Sequence, residues 1–245
     1  MTLSWRHVQL AKLQDTTDLG VKMTDNSDVS GHYGSEYFAY QRRIGKFGGK
    51  ANSFKFKKSV KPDDTVIDFG CGGGFLLQNL SCRRRIGIEP NAFARDQIIE
   101  NGVEHYVSAQ AVLAEVGEAC ADVIISNNAL EHTLNPLHEI ERLRPLLKRN
   151  GIVHFRVPCD NVSFRWKPDD IDFHLYSWSP MNLGNLFVQA GYEIISVKKM
   201  ISKWPPLYET IQRFVGWNTF NFLCLLWGRV ERSWYQVEVV AMRSD

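Results

Sequence analysis

The stretch that decides the fold is Val66-Ile67-Asp68-Phe69-Gly70-Cys71-Gly72-Gly73-Gly74. Its first half is a short apolar run rich in β-branched residues, which predicts a buried strand. Glycines follow at once, and they let the backbone turn sharply and approach a ligand closely because no Cβ fills the space. The dinucleotide-binding pattern would need a small residue where Phe75 stands, and no Gly-Lys-Ser/Thr of a phosphate loop follows. What remains is an acid, Asp68, in front of alternating glycines.

Strand-like and helix-like segments alternate through the rest of the chain. Further apolar, β-rich runs occupy residues 85–89, 122–126, 152–157, 192–200 and 235–242. Helix-length stretches lie between them, at residues 75–80, 91–101, 136–149 and 179–190. Asn150-Gly151 is expected to end the third of these helices. The alternation predicts an α/β fold whose mainly parallel sheet carries helices on both faces and binds ligands beyond the carboxyl ends of its strands.

Composition and charge exclude several classes of protein. The chain has 245 residues, 44% of them hydrophobic, with a formal net charge of +2. A chain of this size can bury a full core, and its balanced charge argues against nucleic acid as a partner. No window reaches 18 apolar residues, so no transmembrane span is expected. The five cysteines form no Cys-x-x-Cys pair, which argues against a disulfide framework and a metal site and favours a reducing, cytoplasmic location.

The polar start of the chain predicts a flexible N-terminal arm over residues 1–31, followed by a single domain over residues 32–245. Within that domain, residues 32–60 are expected to form a helical cap and residues 204–234 a helical insertion before the last strand. The cap interleaves aromatic and basic residues. Such a pattern can bind single-stranded nucleic acid through stacking and charge, or it can belong to a pair of helices packed on the domain. The modest net charge favours the packed helices.

A second acid stands at the end of the second predicted strand. Glu89 lies 19 residues after Gly70, near the interval at which a carboxylate takes ribose hydroxyls in nucleotide-binding folds. Hydroxyls donating to a carboxylate make strong, charge-assisted hydrogen bonds. Two acids at successive strand ends, flanking a glycine loop, indicate a ligand that contains a nucleoside.

Four motifs resemble those of class I S-adenosylmethionine-dependent methyltransferases. They are residues 66–74, 87–90, 122–132 and 147–152. The resemblance implies a Rossmann-like, seven-stranded sheet in the order 3-2-1-4-5-7-6 with its last strand antiparallel. It also implies S-adenosyl-L-methionine as the cofactor and S-adenosyl-L-homocysteine as its product.

The same resemblance implies which residues bind the cofactor. The loop glycines would pass the methionyl end with Asp68 nearby, Glu89 would hold the ribose, and Pro90 would edge the adenine. The residues after the fourth strand would line the methionine side. The full set is Asp68, Gly70, Cys71, Gly72, Gly74, Glu89, Pro90, Asn127, Asn128 and Ala129.

Two histidines are candidates for the base that accepts a proton from the methyl acceptor. His132 follows the fourth strand, beside the predicted switch point, and could instead only fix that loop. His174 lies in the loop after the fifth strand, and an acid such as Glu131 or Asp172 is a further candidate. Of the other histidines considered, residue 154 is expected in the core and residue 138 on a solvated helix.

The acceptor is expected to be a small molecule contacted by residues 169–178, where acids stand beside aromatic residues. Residues 37–52 and 174–180 resemble methyltransferases linked to bacterial polysaccharide biosynthesis, which makes a sugar hydroxyl the leading expectation. One alternative is a quinone or prenylated acceptor, reached from a membrane surface through residues 204–234. Another is a domain that binds S-adenosylmethionine without catalysis.

Overall fold

The computed structural model describes residues 34–167 and 170–245, and the arm predicted over residues 1–31 lies outside them. A seven-stranded sheet forms the centre, and its strands are β1 (Thr65–Phe69), β2 (Arg84–Ile88), β3 (Glu104–Tyr106), β4 (Ala121–Asn127), β5 (Leu147–Cys159), β6 (Glu193–Met200) and β7 (Tyr235–Met242). The strand order is β3-β2-β1-β4-β5-β7-β6. The first five strands pair in parallel, and β7 runs antiparallel between β5 and β6. The predicted fold and strand order are therefore confirmed.

Six α-helices surround the sheet in the described ranges. They are α1 (Ser35–Ser53), α2 (Arg95–Glu100), α3 (Ala109–Glu115), α4 (Pro136–Leu143), α5 (Pro180–Gln189) and α6 (Tyr208–Val230). Side-chain caps fix several helix starts: Ser108, Asn135 and Ser179 each accept a hydrogen bond from a backbone N–H of the first turn. Two proline-first helices, α4 and α5, follow such caps.

The core lies on both faces of the sheet. All five residues of β1 are buried, and because successive side chains alternate, Ile67 and Val66 belong to different apolar clusters. The cluster with Ile67 packs against α3, α4 and α5, whereas the cluster with Val66 includes Phe56 and Leu77. Burial on both faces explains why these strands are continuous apolar runs.

Two predicted helices differ from those in the structure, one in type and one in length. Residues 75–80 form only a short 3₁₀ turn (Leu77–Asn79), because too few residues separate the glycine loop from β2 to nucleate an α-helix. The helix predicted over residues 136–149 ends at Leu143, where Pro145 prevents its continuation. Asn150 is not a helix cap: it has a φ of 60° and lies inside β5, where the register with β4 shifts. The helix α3 was not predicted.

The segment between β6 and β7 forms one long helix, α6, which is kinked at Gly216 (φ 72°, ψ 173°). Its buried side packs on α1 through an aromatic cluster centred on Phe47. The ring partners of Phe47 are Trp204, Tyr208, Trp217 and Phe220, at centroid distances of 4.8–5.6 Å. The cap segment thus contains one helix, α1, and Phe47 packs inward.

Candidate functional site

The glycine loop after β1 borders open space. Gly70, Gly72 and Gly74 all have positive φ, a conformation that other residues rarely adopt. A Cβ on Gly70 would overlap the Cβ of Ala129, so this loop meets the loop after β4 in close contact. A Cβ on Gly72 would meet no atom within 4 Å. The backbone at Gly72 therefore faces a space that a ligand can occupy.

Glu89 follows β2 and faces this loop. Its two carboxylate oxygens accept hydrogen bonds from the backbone N–H of Gly72 (2.8 Å) and of Asn91 (3.0 Å). A ring nitrogen of His105 lies 2.8 Å from the carbonyl oxygen of Glu89. Burial raises the pKa of Glu89, and the two backbone hydrogen bonds oppose that rise. Each oxygen keeps a lone pair for another donor, so the carboxylate is held in place with acceptor capacity left for two hydroxyls.

The remaining predicted cofactor residues near this loop differ in their exposure to solvent. Asp68 is only 2% exposed, and burial together with the charge of Glu89 raises its pKa. Cys71 is buried with its Sγ against β2, where a Cβ on Gly87 would lie 2.6 Å from the sulfur. Pro90 is exposed. The side chain of Cys71 thus packs into the core, and only its backbone borders the loop.

The loop after β4 brings the other predicted cofactor residues to the same edge of the sheet. The Oδ1 atom of Asn127 is buried and has no hydrogen-bond partner among the described residues. Asn128 has a φ of 56°, and its Oδ1 accepts a hydrogen bond from Gln236 (2.8 Å), whose own Oε1 accepts one from Lys55 (2.9 Å). Burial and the charge of Arg156 lower the pKa of Lys55 to about 7. This chain of hydrogen bonds fixes the loop and leaves Asn127 available to a ligand.

The structure brings both histidine candidates together around Glu131. Glu131 is fully buried, and neither of its oxygens has a hydrogen-bond partner among the described residues. Its Oε1 lies 3.9 Å from Nε2 of His132 and 4.0 Å from Nε2 of His174. The two imidazole centroids are 5.1 Å apart. Residues 42 positions apart in the sequence therefore form one cluster, which we call the acceptor-side cluster: Glu131, His132, His174 and Asp160.

Burial, together with the charges of Asp160 and Asp172, raises the pKa of Glu131 to about 8, although its own backbone N–H acts to lower it. A carboxyl group with such a pKa changes its protonation near neutral pH. Beside two imidazoles, it can exchange a proton with a bound acceptor.

Sequence reasoning missed Asp160. Its Oδ2 lies 3.3 Å from Nδ1 of His174, so the other ring nitrogen of His174 faces Glu131. The backbone N–H of Leu175 donates to the carbonyl oxygen of Glu131 (2.9 Å), which ties the loop after β5 to the loop after β4. The sequence feature that could have identified Asp160 is its position directly after β5, at the edge of the sheet where ligands bind.

The sequence predicted no metal site, but three side chains of the acceptor-side cluster stand close enough together to bind one metal ion. Glu131, His132 and His174 offer ligand atoms that all lie within 4.8 Å of one another. The sequence did not reveal this set because no metal-ligand spacing joins residue 174 to residues 131 and 132. These three side chains could hold a cation as well as exchange a proton.

Two other histidines lie where they were predicted, one in the core and one exposed on a helix. His154 is buried in β5, with Nδ1 2.8 Å from the Ser59 hydroxyl and Nε2 3.0 Å from Glu238. Burial opposes ionisation of Glu238, but hydrogen bonding from His154 and the charge of Arg156 hold its pKa well below its usual range. His138 is exposed on α4.

The described part of the loop after β5 that was expected to contact the acceptor, residues 170–178, is called the acceptor loop here, and its Asp172 lies near α1. Burial raises the pKa of Tyr40 on α1, and the nearby Asp172 and Tyr208 raise it further. The charge of Asp172 acts on both Tyr40 and Glu131, so Asp172 lies near α1 and near the acceptor-side cluster. The neighbouring Asp169 lies outside the described residues.

Comparison with known proteins gives one family match and a set of structural likenesses. Residues 37–197 match a family described as a methyltransferase domain. The chain is 34% identical over 99 residues to a ubiquinone biosynthesis O-methyltransferase of Stutzerimonas stutzeri. The aligned region covers 37% of this chain and 42% of that relative. The chain thus spans less than half the length of that curated relative.

Two solved structures show the same fold at low identity. An S-adenosylmethionine-dependent methyltransferase from Thermotoga maritima has a TM-score of 0.61 and 14% identity, covering 87% of this chain and 98% of that one. A phosphoethanolamine N-methyltransferase of Haemonchus contortus, solved with S-adenosyl-L-methionine, has a TM-score of 0.58 and 13% identity, covering 90% and 60%. No helix in the described ranges is long and apolar enough to cross a membrane.

Proposed function

Since the chain belongs to the methyltransferase-domain family, we propose that it uses S-adenosylmethionine to methylate a phenolic hydroxyl of an apolar, quinol-type or prenylated acceptor. The observation that carries this proposal is the acceptor-side cluster, in which a buried carboxyl without a hydrogen-bond partner among the described residues lies 3.9 and 4.0 Å from two imidazoles. Such a group is suited to taking a proton from a hydroxyl as it is methylated.

The cofactor supplies, when bound, a methyl group already activated on a sulfonium. The residues that fit it lie at the ends of β1, β2 and β4. The backbone at Gly72 faces open space, the Glu89 carboxylate retains acceptor capacity, and the Asn127 amide oxygen is buried without a partner in the described ranges. These groups would bind and orient the nucleoside and methionyl parts, and alignment of donor and acceptor can contribute roughly 7–11 kcal/mol.

Acidity favours a phenol over a sugar. A phenolic hydroxyl has a pKa of about 10, whereas an aliphatic hydroxyl is close to water, at about 15.7. The pKa of Glu131 is about 8. A base in this range can accept a proton from a phenol with a small energy difference, but from a sugar hydroxyl only with a large one.

The sequence relatives support the same choice of acceptor. The Stutzerimonas stutzeri relative is named for ubiquinone biosynthesis and for O-methylation. This likeness supports the quinone alternative more than the sugar expectation, which rests on a resemblance of α1 and the acceptor loop. We therefore place the sugar hydroxyl second.

Methyl transfer to defined acceptors tests the proposal. The protein would be incubated with S-adenosylmethionine and either a short-chain prenylated catechol, a hydroquinone, or nucleotide sugars, and S-adenosylhomocysteine release and product mass would be measured. We expect an O-methylated phenol and no methylated sugar. Methylation of a nucleotide sugar with inert phenols would overturn the proposal in favour of the sugar.

A further inference from the structure

Helix α6 is apolar on two opposite sides. Its inner side contains Phe220, Cys224 and Gly228, which are buried, and a Cβ on Gly228 would overlap the backbone of Ile201. Its outer side contains Phe222, Leu226 and Val230, which are 58%, 42% and 73% exposed. These three residues follow each other at intervals of four, so they form one stripe, which we call the outer stripe.

An exposed apolar stripe such as the outer stripe is unusual for a helix on the surface of a domain. Such a helix normally has one apolar stripe facing the core and a polar face toward solvent, and a helix that is apolar all round contacts something on each side. Packing on the domain accounts for the inner side alone. Contiguous exposed apolar surface of this kind marks a site of interaction with a protein or a membrane.

The charges around the outer stripe are basic. Arg213, Arg229 and Arg232 are exposed at or beside α6. Glu209 is the one exposed acid within α6, and Glu231 just beyond it forms an ion pair with Lys203. Arginines beside exposed apolar residues complement a surface of anionic headgroups over hydrocarbon.

The first turn of α6 packs on α1, where the ring centroids of Tyr208 and Phe47 are 4.8 Å apart. Tyr208 and Asp172 of the acceptor loop both lie near Tyr40 of α1. At this end of the helix Leu207 and Phe214 are 78% and 87% exposed. The same helix therefore carries an apolar outer surface and packs on α1, the helix that Asp172 of the acceptor loop approaches.

We infer that the outer stripe of α6 and its arginines dock on the surface of an anionic lipid bilayer. The choice of a bilayer rests on the proposed function, because an acceptor with an apolar tail resides there. Docking through α6 would place the acceptor loop beside the membrane from which such an acceptor is drawn. A second copy of this chain on the same stripe is the competing occupant.

Vesicle co-sedimentation tests the inference. The wild-type protein is expected to bind vesicles of phosphatidylglycerol and phosphatidylethanolamine at low salt, and to bind vesicles of phosphatidylcholine at least ten-fold more weakly. The double variant Phe222→Ser/Leu226→Ser should lose ten-fold or more in vesicle affinity. Arg229→Gln/Arg232→Gln should lose roughly 5-fold per arginine, because each basic residue near an anionic surface contributes about 1 kcal/mol.

The matched control is Val188→Ser/Ile195→Ser, which removes two apolar side chains of similar exposure, 58% and 56%, from α5 and β6. It should bind vesicles like the wild type. If the wild-type protein does not bind anionic vesicles, the inference is overturned, whatever the result for the variants. So does sedimentation equilibrium that shows a dimer which Phe222→Ser/Leu226→Ser dissociates, with no vesicle binding.

Turnover on a soluble short-chain catechol separates this inference from the proposed function. Vesicle binding without turnover on any phenol would contradict the function and leave the docking surface intact. Turnover on the soluble catechol without vesicle binding would contradict the docking surface alone.

Discussion

Two carboxylates stand at the two sides of this site, and their surroundings differ. Glu89, on the cofactor side, accepts two backbone hydrogen bonds at 2.8 and 3.0 Å. Glu131, on the acceptor side, is fully buried with no hydrogen-bond partner among the described residues, and its Oε1 lies 3.9 and 4.0 Å from two imidazole nitrogens. Burial raises the pKa of Glu89, but the backbone N–H groups oppose that rise and hold its carboxylate in place, which suits binding. A buried carboxyl that lacks such donors and stands near other acids has a pKa nearer neutrality, which suits proton transfer.

The largest expected effect is on turnover at the acceptor side. His132→Ala should lower kcat on the true acceptor by about 10²–10⁴-fold, because Glu131 and its two imidazoles act together as the base and a positioned base contributes that much. Cofactor affinity should stay nearly unchanged. Steady-state kinetics and calorimetry of cofactor binding measure the two quantities. His138→Ala, which changes an exposed histidine on α4, is the matched control and should be neutral. Wild-type turnover in His132→Ala, together with loss in His174→Ala, would transfer the role to the acceptor loop.

A chelator distinguishes a base from a metal ligand at this cluster. We expect EDTA to leave turnover unchanged, because the cluster acts here through protons. Loss of turnover that Mg²⁺ or Zn²⁺ restores would mean that the three ligand atoms within 4.8 Å of one another hold a cation.

The next effect is on stability and its dependence on pH. The pKa of Glu131 is raised from an ordinary value of 4.5 to about 8 in the folded protein. The stability that its protonated form contributes is fully present below about pH 4.5 and is lost as the pH rises to about 8. The loss should be on the order of 3–5 kcal/mol, and Glu131→Gln should not suffer it. Urea unfolding at pH 5 and pH 8.5 measures the free energy of unfolding of the wild type and of Glu131→Gln. An equal pH dependence in both proteins would contradict the raised pKa of Glu131.

A smaller effect is expected on the cofactor side. Glu89→Ala should weaken S-adenosylmethionine binding by about 1.5–3 kcal/mol for each charge-assisted hydrogen bond lost. Isothermal titration calorimetry measures this against Asp96→Ala, an exposed acid on the nearby helix α2, which should bind like the wild type. If Glu89→Ala folds and binds the cofactor normally, the ribose lies elsewhere.

The smallest effect is expected from the residue that orients the acceptor loop. Asp160→Asn should lower kcat by about ten-fold or less, because His174 loses a carboxylate at Nδ1 but keeps a hydrogen-bonding partner of the same size. Asp160→Glu should recover part of the loss. A drop as large as that of His132→Ala would mean that Asp160 itself takes part in proton transfer.

The cofactor side could be predicted from the sequence because its parts are local. The glycine loop follows its strand directly, Glu89 ends the next strand, and the resemblance supplied the strand order, which is confirmed. Roles in cofactor binding stay predictions for Gly70, Gly72, Gly74 and the other residues of that set. Cys71 shows the limit of a motif: its position is in the loop, but its side chain packs against β2.

The acceptor side could be predicted only in part. Strand-end position pointed to His132, and the acids and aromatics of the loop pointed to His174. Their approach to Glu131, and the contact of His174 with Asp160, depend on how the loop after β5 folds back over β4. Burial of a particular carboxyl is a property of the packed structure, and no spacing in the sequence encodes it.

Titration of Glu131 itself tests the contrast between the two carboxylates most directly. Carbon-13 NMR of the protein labelled at glutamate carboxyl groups, with Glu131→Gln to assign the resonance, would follow its protonation between pH 4 and pH 10. The account predicts that the Glu131 signal titrates near pH 8. A signal that titrates near pH 4.5 would show an ordinary, charged carboxylate and contradict its role as a group that exchanges protons with the acceptor.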